Sequence, residues 1–254
     1  MLRTRVMPCL LLNGRGLVKT INFKGERYVG DPINAVRIFN QKEVDELVLF
    51  DIGCTANNVA INYSLLGQIA SECFMPLCYG GGVKSLDDFK KLFSIGIEKV
   101  SVSSLLFDNP GVVKQAVAIY GSQSIVATLD INQSRFRKKY SVCTHSAKRK
   151  HKFSPLEAAN YICELGVGEI IINTIHRDGT WQGFDQKLIK QIAESVNVPV
   201  VASGGAGSLE DIEHVVTSGH ASAVALGSMA VFQAKDMGVL IKFPKISELM
   251  KVLP

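Results

Sequence analysis

The chain has 254 residues, of which 47% are hydrophobic and 20% charged, and its formal net charge is +5. This composition is ordinary for a soluble globular protein. The sequence has no apolar run of about 18 residues and no signal peptide with a cleavage site, which argues against membrane and secreted proteins. Its six cysteines lack the paired spacing of a metal site. We therefore expect free thiols, no metal ion or other cofactor, and a cytoplasmic location.

Eight short segments are predicted to be buried parallel strands, because they are Leu-rich or β-branched and bounded by Gly, Asp, Ser or Asn. They span residues 5–12, 46–52, 75–79, 99–103, 124–129, 169–174, 198–202 and 223–227. Helical patterns lie between them, near residues 58–73, 85–95, 109–119, 154–165, 186–195 and 208–218. Strands and helices that alternate in this way predict one α/β domain over residues 1–254, a single (β/α)8 TIM barrel.

One motif occurs twice in the chain. Gly80-Gly81-Gly82 is followed by Ser85, and Gly204-Gly205 is followed by Ser208, with an acid three residues after each serine. Each copy predicts a glycine-rich turn and a helix capped by its serine. A repeat of about half the chain length predicts two half-barrels, near residues 1–122 and 123–254. Because backbone N–H groups at such turns bind phosphate, the repeat suggests a substrate with a phosphate at each end.

Three carboxylates stand at the ends of predicted strands, where barrel enzymes keep their chemistry. Asp130 ends the fifth strand and is a candidate general acid or base. Asp51 closes the second strand and Asp178 follows the sixth, and either could hold a hydroxyl-bearing substrate. A loop anchor or helix cap is the alternative for these carboxylates. Lys19 lies in a predicted long loop, residues 13–31, where it could close over an anion or simply be solvated.

The opposite end of the predicted barrel carries four charges. Arg5, Glu46, Lys99 and Glu169 each stand at the start of a predicted strand. Apolar packing is the norm at that end, and unpaired buried charges cost roughly several kcal/mol each. The four residues are compatible with a ring in which the charges satisfy one another, and also with four unrelated surface charges that flank the strands.

Basic residues are concentrated in the second predicted long loop, residues 131–153, which also belongs to the C-terminal face of the barrel. They are Arg135, Arg137, Lys138, Lys139, Lys148, Arg149, Lys150 and Lys152, with His145 and His151 among them. Three interpretations are open: a solvated hairpin beside a barrel strand, a basic lip that steers an anionic substrate, and a nucleic-acid surface. We expect neither a nucleic-acid nor a membrane partner.

A long ordered set of motifs resembles the cyclase subunit of imidazole glycerol phosphate synthase, the HisF family, over essentially the whole chain. The residues that carry the resemblance are Arg5-Val-Met-Pro-Cys-Leu10, Lys19, Gly30-Asp-Pro32, Asp45-Glu-Leu47, Phe50-Asp51, Gly80-Gly-Gly82, Lys99-Val-Ser101, Gly121-Ser-Gln123, Asp130, Gly168-Glu-Ile170, Arg177-Asp-Gly-Thr180 and Ser203-Gly-Gly-Ala-Gly207. Members of this family take ammonia from a glutaminase (HisH-like) partner and use it on a long bis-phosphate substrate, a phosphoribulosyl-formimino-aminoimidazole carboxamide ribotide. The products are imidazole glycerol phosphate and an aminoimidazole carboxamide ribotide.

The resemblance also implies roles for particular residues. The four charges at the strand starts match the family's ammonia gate, and Gln123 matches a position near the glutaminase interface at the N-terminal face. The implied phosphate and substrate-binding residues are Lys19, Asp51, Gly81, Gly82, Ser103, Ser104, Asp178, Gly179, Gly204, Gly205 and Ser228.

The chain departs from the family at the catalytic pair. The family's cyclase uses two aspartates, of which Asp130 is the second, but Leu11 stands where the first is expected. Leucine can neither donate nor accept a proton, so its presence should cost a rate factor of about 10²–10⁴ or more in cyclisation. Asn13 lies too far along the strand to replace the acid, and His176 is a titratable group near the sixth strand that could do so only in principle.

Three functional hypotheses follow. The first is an ammonia-conducting synthase subunit of a glutamine amidotransferase complex, whose acceptor is a nucleotide-linked sugar. The sequence of this chain resembles a branch of the family that is associated with surface polysaccharide (lipopolysaccharide O-antigen) biosynthesis. In that branch, a separate sugar-amidating enzyme is a further partner. The second is a true cyclase of histidine biosynthesis that tolerates Leu11. The third is an inactive scaffold for the glutaminase. An isomerase of the sister barrel family is disfavoured, because it also needs carboxylates on strands one and five.

Overall fold

Twelve strands make up the sheet of this protein, whose computed structural model describes residues 4–134 and 136–253. In chain order they are β1 (Arg5–Asn13), β2 (Gly16–Ile21), β3 (Lys24–Gly30), β4 (Leu47–Asp51), β5 (Leu77–Gly80), β6 (Lys99–Val102), β7 (Ile125–Gln133), β8 (Tyr140–Thr144), β9 (Arg149–Lys150), β10 (Glu169–Thr174), β11 (Val200–Ser203) and β12 (Ala223–Leu226). Eight of them run parallel in the order β1-β4-β5-β6-β7-β10-β11-β12, and β12 pairs with β1 to close the ring. The predicted TIM barrel is confirmed.

Helices surround the barrel. They are α1 (Pro32–Gln41), α2 (Ile52–Ala56), α3 (Tyr63–Glu72), α4 (Leu86–Ser94), α5 (Leu105–Asp108), α6 (Pro110–Tyr120), α7 (Pro155–Cys163), α8 (Gln186–Ala193), α9 (Leu209–Thr217), α10 (Ser228–Val231) and α11 (Ile246–Val252), with a 3₁₀ turn at Ser122–Ser124. Ser85 and Ser208 cap α4 and α9 in reciprocal capping boxes, as predicted from the repeat. The helix expected near 58–73 begins only at Tyr63, and α1, α2, α5, α10 and α11 are additional to the prediction.

The two segments predicted to be long loops, residues 13–31 and 131–153, instead form β-hairpins. β2 folds back on β1 and continues into β3, while β8 folds back on the extended end of β7 and continues into β9. Their tight turns contain non-glycine residues with positive φ, among them Asn22, Phe23 and His145. Glycine, the usual signal for such turns, is absent at these positions. The turn between β1 and β2 does carry that signal, because Gly14 follows Asn13 and has positive φ, and sequence reasoning overlooked it.

The barrel interior contains an apolar cluster separate from the larger core between barrel and helices. Its buried members are Met7, Cys9, Val48, Cys78, Val126, Ile171, Val201, Ala223 and Ala225. Because side chains alternate along a strand, Arg5, Met7, Cys9 and Leu11 of β1 all project into the barrel. The interior therefore connects the charged end of the barrel with its mouth. Among the described residues, no helix has the length and apolar character needed to cross a membrane.

Candidate functional site

Four charged side chains form a closed ring at the N-terminal end of the barrel. Arg5 donates to Glu46 Oε2 at 2.5 Å and to Glu169 Oε1. Lys99 Nζ bonds the same two carboxylates at 2.7 and 3.1 Å. The side chains of Glu46 and Glu169 are only 4% and 8% exposed, so the two cations and not water neutralise them. The structure thus brings all four predicted charges together in one charged ring.

The interior beyond the charged ring is neutral at pH 7. Burial raises the pKa of the Cys9 thiol to about 11 and that of Cys78 well above its ordinary value. Both thiols therefore stay protonated among the aliphatic side chains of the interior cluster. Above them, the hydroxyls of Ser101 and Thr128 contact each other at 2.6 Å, and both residues are buried. A small neutral molecule would meet no charge between the ring and this hydroxyl pair.

The main cavity opens above Ser101 and Thr128, at the C-terminal mouth, with a volume of about 310 Å³. Asp130 lines it, and burial raises the pKa of this carboxyl to about 7, while Asn173 donates to its Oδ1 at 3.2 Å and favours the ionised form. Ser203 in turn donates to Asn173 at 3.4 Å. A carboxyl that titrates near neutral pH can both take up and release a proton.

Leu11 lies at the mouth and lines both the main cavity and the second glycine-rich site. Neither polar residue considered as its substitute is positioned to act. Asn13 does not line these cavities, and it donates at 2.7 Å to Glu26, which does line the main cavity. His176 lies outside the lining of the main cavity, and its two ring nitrogens bond Asp185 and the backbone N–H of Gln133. Among the described residues that line the main cavity, the aspartate expected on β1 as the partner of Asp130 is therefore absent.

The first glycine-rich site opens on the main cavity, which Gly81, Gly82, Ser103 and Ser104 all line. Both glycines have positive φ, and a Cβ on Gly81 would collide with the carbonyl of Asp51. Asp51 itself caps α2 by accepting from two backbone N–H groups, which is the structural role left open by the sequence. Ser103 Oγ is buried and has no hydrogen-bond partner among the described residues. Such an unsatisfied hydroxyl is suited to bind a ligand oxygen.

The second glycine-rich site repeats this backbone with different surroundings. Gly204 and Gly205 also have positive φ, and together with Ser228 they line a small pocket of about 20 Å³ that Gly179 also borders. Lys19 is 4% exposed, and its ammonium group lies against Gly227 in this pocket.

Asp178 faces this pocket too. It accepts from Thr20 at 3.3 Å, and burial raises its pKa although Lys19 opposes the shift. Among the described residues, Lys19 Nζ forms neither a hydrogen bond nor a salt bridge, so it can donate to an anion. The structure thus places Lys19, Asp178, Gly204, Gly205 and Ser228 around one pocket.

The basic hairpin contributes to the first site. His145, Ser146 and Lys148, at its tip, line the main cavity opposite Ser104. Arg149 instead pairs with Asp108 at 2.6 Å on the surface. Arg135, part of the predicted basic stretch, lies outside the described residues. The segment 131–153 is therefore a hairpin beside a barrel strand, and its tip also forms a basic lip over the main cavity.

At the N-terminal face, Gln123 is exposed in the 3₁₀ turn before β7 and donates to Tyr120 O at 3.4 Å. Sequence reasoning did not find Asn173, Ser101 or Thr128. Alternation along β6, β7 and β10 is a signal that could have found them, because each lies two or four residues from a predicted site residue on the same strand. Within residues 4–134 and 136–253, no cluster of His, Cys, Asp and Glu is arranged to hold a metal ion.

Comparison with known families matches residues 5–235 to the family described as histidine biosynthesis protein. Three relatives carry provisional names as imidazole glycerol phosphate synthase subunits: hisF2 of Pseudomonas aeruginosa, HisF of Leptospira borgpetersenii and hisF3 of Vibrio vulnificus. They are 49%, 42% and 43% identical to this chain; the matches cover 98%, 100% and 100% of it and 99%, 100% and 97% of the relatives. The chain therefore belongs to the histidine biosynthesis protein family and, within it, to the HisF-like proteins.

Proposed function

We propose that this chain is the ammonia-receiving synthase subunit of a glutamine amidotransferase complex that does not carry out the family's cyclisation. A HisH-like glutaminase docks on the N-terminal face beside Gln123 and releases ammonia at the charged ring. The names of the relatives, which describe synthase subunits, support a partner of this kind. The observation that carries the proposal is the combination of a complete charged ring at one end with Leu11 in place of a proton-transfer group at the other.

Ammonia needs an enclosed route because bulk water at pH 7 protonates it and removes its nucleophilic lone pair. The ring closes the barrel with four mutually paired charges, so admission requires only that one contact be broken, such as that between Lys99 and Glu169 at 3.1 Å. The apolar cluster beyond the ring disfavours ammonium, since an unpaired ion loses its hydration there. Neutral ammonia passes and reaches the hydroxyl pair of Ser101 and Thr128, which can hydrogen-bond it at the floor of the main cavity.

The acceptor in this proposal is an anionic, nucleotide-linked sugar, presented by a separate sugar-amidating enzyme at the mouth. Two glycine-rich sites, Lys19 and the basic hairpin tip supply binding groups for phosphate. Asp130, whose pKa of about 7 makes it a usable base, takes the proton that the incoming ammonia loses. Loss of the first aspartate removes cyclisation and leaves these functions in place.

The second candidate is an authentic cyclase of the imidazole precursor. It is favoured by the presence of both glycine-rich sites, which fit a substrate with a phosphate at each end, and by the near-neutral pKa of Asp130. In that case one carboxyl would serve as both acid and base. An inactive scaffold would instead leave Asp130 and Ser103 without a role.

Turnover of the phosphoribulosyl precursor by the purified chain with excess ammonium salt near pH 8.5 separates these candidates. The proposal predicts no cyclised product from the unmodified chain and measurable product from Leu11→Asp, because this variant restores the acid–base pair. Leu11→Asn is the matched control: it is of similar size to the Asp variant but cannot exchange a proton, so it should remain inactive. Product from the unmodified chain would return the assignment to the cyclase.

A further inference from the structure

A side cavity of about 290 Å³ adjoins the second glycine-rich site and is bounded by Arg27, Trp181, Phe232 and Lys235. We propose that this side cavity binds the nucleoside of a nucleoside diphosphate, whose phosphates occupy the second glycine-rich site. This inference rests on the proposed function and names the group by which its nucleotide-linked acceptor is recognised.

The chemistry of the side cavity suits a planar heterocycle. Trp181 lines it, and the guanidinium of Arg27 lies over the ring of Phe232, 4.8 Å from the centroid. Stacking on aromatic side chains is worth about 1–3 kcal/mol per base, and a guanidinium plane adds to it. Trp181 has a positive φ of 61°, unusual for a bulky residue, and its carbonyl packs against Gly207, where a side chain would collide. Strain of this kind is typical of binding sites.

Charge favours an anionic ligand. Three cations, Lys19, Arg27 and Lys235, line the side cavity beside a single carboxylate, Asp236. Lys19 also belongs to the second glycine-rich site, and within the described part of the chain its buried ammonium has no hydrogen-bond partner. A phosphate oxygen would supply that partner.

Position distinguishes this ligand from a bis-phosphate. The side cavity and the second glycine-rich site share Lys19, Gly179 and Ser228, so they lie side by side. A ligand that ends in a phosphate at the second glycine-rich site would leave the side cavity empty. A diphosphate instead carries a further group on each side, and one of these groups can occupy the side cavity. Small-ligand pockets span about 300–1,000 Å³, so the side cavity suits a nucleoside but not a whole nucleotide-linked sugar.

The remaining sugar would pass Leu11, which lines both the second glycine-rich site and the main cavity. Leu11 adds no charge to this path, so it places no further carboxylate beside the diphosphate.

The test uses the fluorescence of Trp181, the one tryptophan in the chain. The full-length protein is titrated with UDP, GDP and ADP, and with pyrophosphate and ribose 5-phosphate as probes that lack a base. We expect at least one nucleoside diphosphate to quench the emission and to bind about ten-fold or more tightly than pyrophosphate, the value for 1.4 kcal/mol of stacking. Equal affinity for pyrophosphate, or no binding of any nucleoside diphosphate, would overturn the proposal.

Variants measured by calorimetry localise the site. Trp181→Ala should lower nucleoside diphosphate affinity about ten-fold without changing that for pyrophosphate, and Trp181→Phe should retain most of the affinity. Arg27→Gln, which also removes a charge, should lower nucleoside diphosphate affinity about ten-fold and pyrophosphate affinity less. Lys24→Gln, a charge loss on the same strand as Arg27 but outside the side cavity, is the matched control. If Arg27→Gln and Trp181→Ala both bind nucleoside diphosphates as tightly as Lys24→Gln does, the base lies elsewhere. This failure is distinct from failure of the ammonia route, which the charged-ring variant Lys99→Met tests through the source of the product nitrogen.

Discussion

Carboxylates at the two ends of this barrel have opposite environments. At the N-terminal end, Glu46 and Glu169 share two cations, and each has a cation within 2.7 Å or closer. At the mouth, Asp130 has an amide, Asn173, as its hydrogen-bonding neighbour, and burial raises its pKa to about 7. The N-terminal end holds four charges that neutralise one another, and the mouth holds a carboxyl that can exchange a proton near neutral pH.

The difference teaches that one barrel interior can carry two environments separated by a few layers of side chains. The neutral cluster with Cys9 and Cys78 lies between them, so neither end neutralises the other. In the proposed function this separation matters, because a charge in the middle would favour ammonium over ammonia. The predictions that follow perturb each end in turn.

Asp130→Asn gives the largest expected effect, at the mouth. A folded pKa of about 7 against about 3.9 in the unfolded chain means that the folded state retains a proton that the unfolded state has lost. The stability that the protonated Asp130 carboxyl contributes is fully present below pH 4 and is lost as the pH rises to 7. The variant should therefore gain up to roughly 4 kcal/mol over the unmodified chain between pH 4 and pH 8. Urea unfolding of both proteins at pH 4 and pH 8 measures this gain. A difference in unfolding free energy between them that is the same at both pH values would contradict the raised pKa.

Arg5→Leu perturbs the charged ring. It leaves Glu46 and Glu169 with Lys99 alone, and a broken buried pair destabilises by about 3–5 kcal/mol. Because Lys99 still neutralises one carboxylate, we expect about 3 kcal/mol in urea unfolding at pH 7.

The control for the ring is Arg37→Leu, which breaks the exposed pair with Glu72 at 2.9 Å and should cost clearly less stability than Arg5→Leu in the same measurement. Similar losses for Arg5→Leu and Arg37→Leu would show that the ring behaves as an ordinary surface pair.

Ser85→Ala and Ser208→Ala compare the two halves of the barrel. Each removes the cap from a helix with the same reciprocal box, so each should lose about 1 kcal/mol. Thermal unfolding of the two variants measures both losses. Clearly unequal losses would show that the halves differ in stability despite their shared motif.

Sequence periodicity predicted the eight barrel strands, and the repeat predicted both capping boxes. Both hairpins were taken for loops, for two reasons. The turns at Asn22, Phe23 and His145 have positive φ without glycine, whereas the Asn13-Gly14 turn after β1 carries the usual signal and was overlooked.

One part of the candidate site could also be predicted from the sequence, and another part could not. Arg5, Glu46, Lys99 and Glu169 could be grouped because each starts a strand. The side cavity could not be predicted, since Trp181 and Phe232 come from separate loops and meet Arg27 only through the fold.

The most direct test of the account follows the nitrogen itself. The chain is reconstituted with its glutaminase and acceptor system and supplied with glutamine labelled with ¹⁵N in the amide, in a large excess of unlabelled ammonium at pH 7. Mass spectrometry then gives the ¹⁵N fraction of the aminated product. If ammonia travels through the barrel, most product nitrogen is ¹⁵N in the unmodified complex, and the fraction falls in Lys99→Met but not in Lys91→Met. Lys91 lies outside the charged ring, where it pairs with Asp87 and lies over the ring of Tyr63. Product nitrogen that matches the unlabelled pool in the unmodified complex would contradict conduction through the barrel.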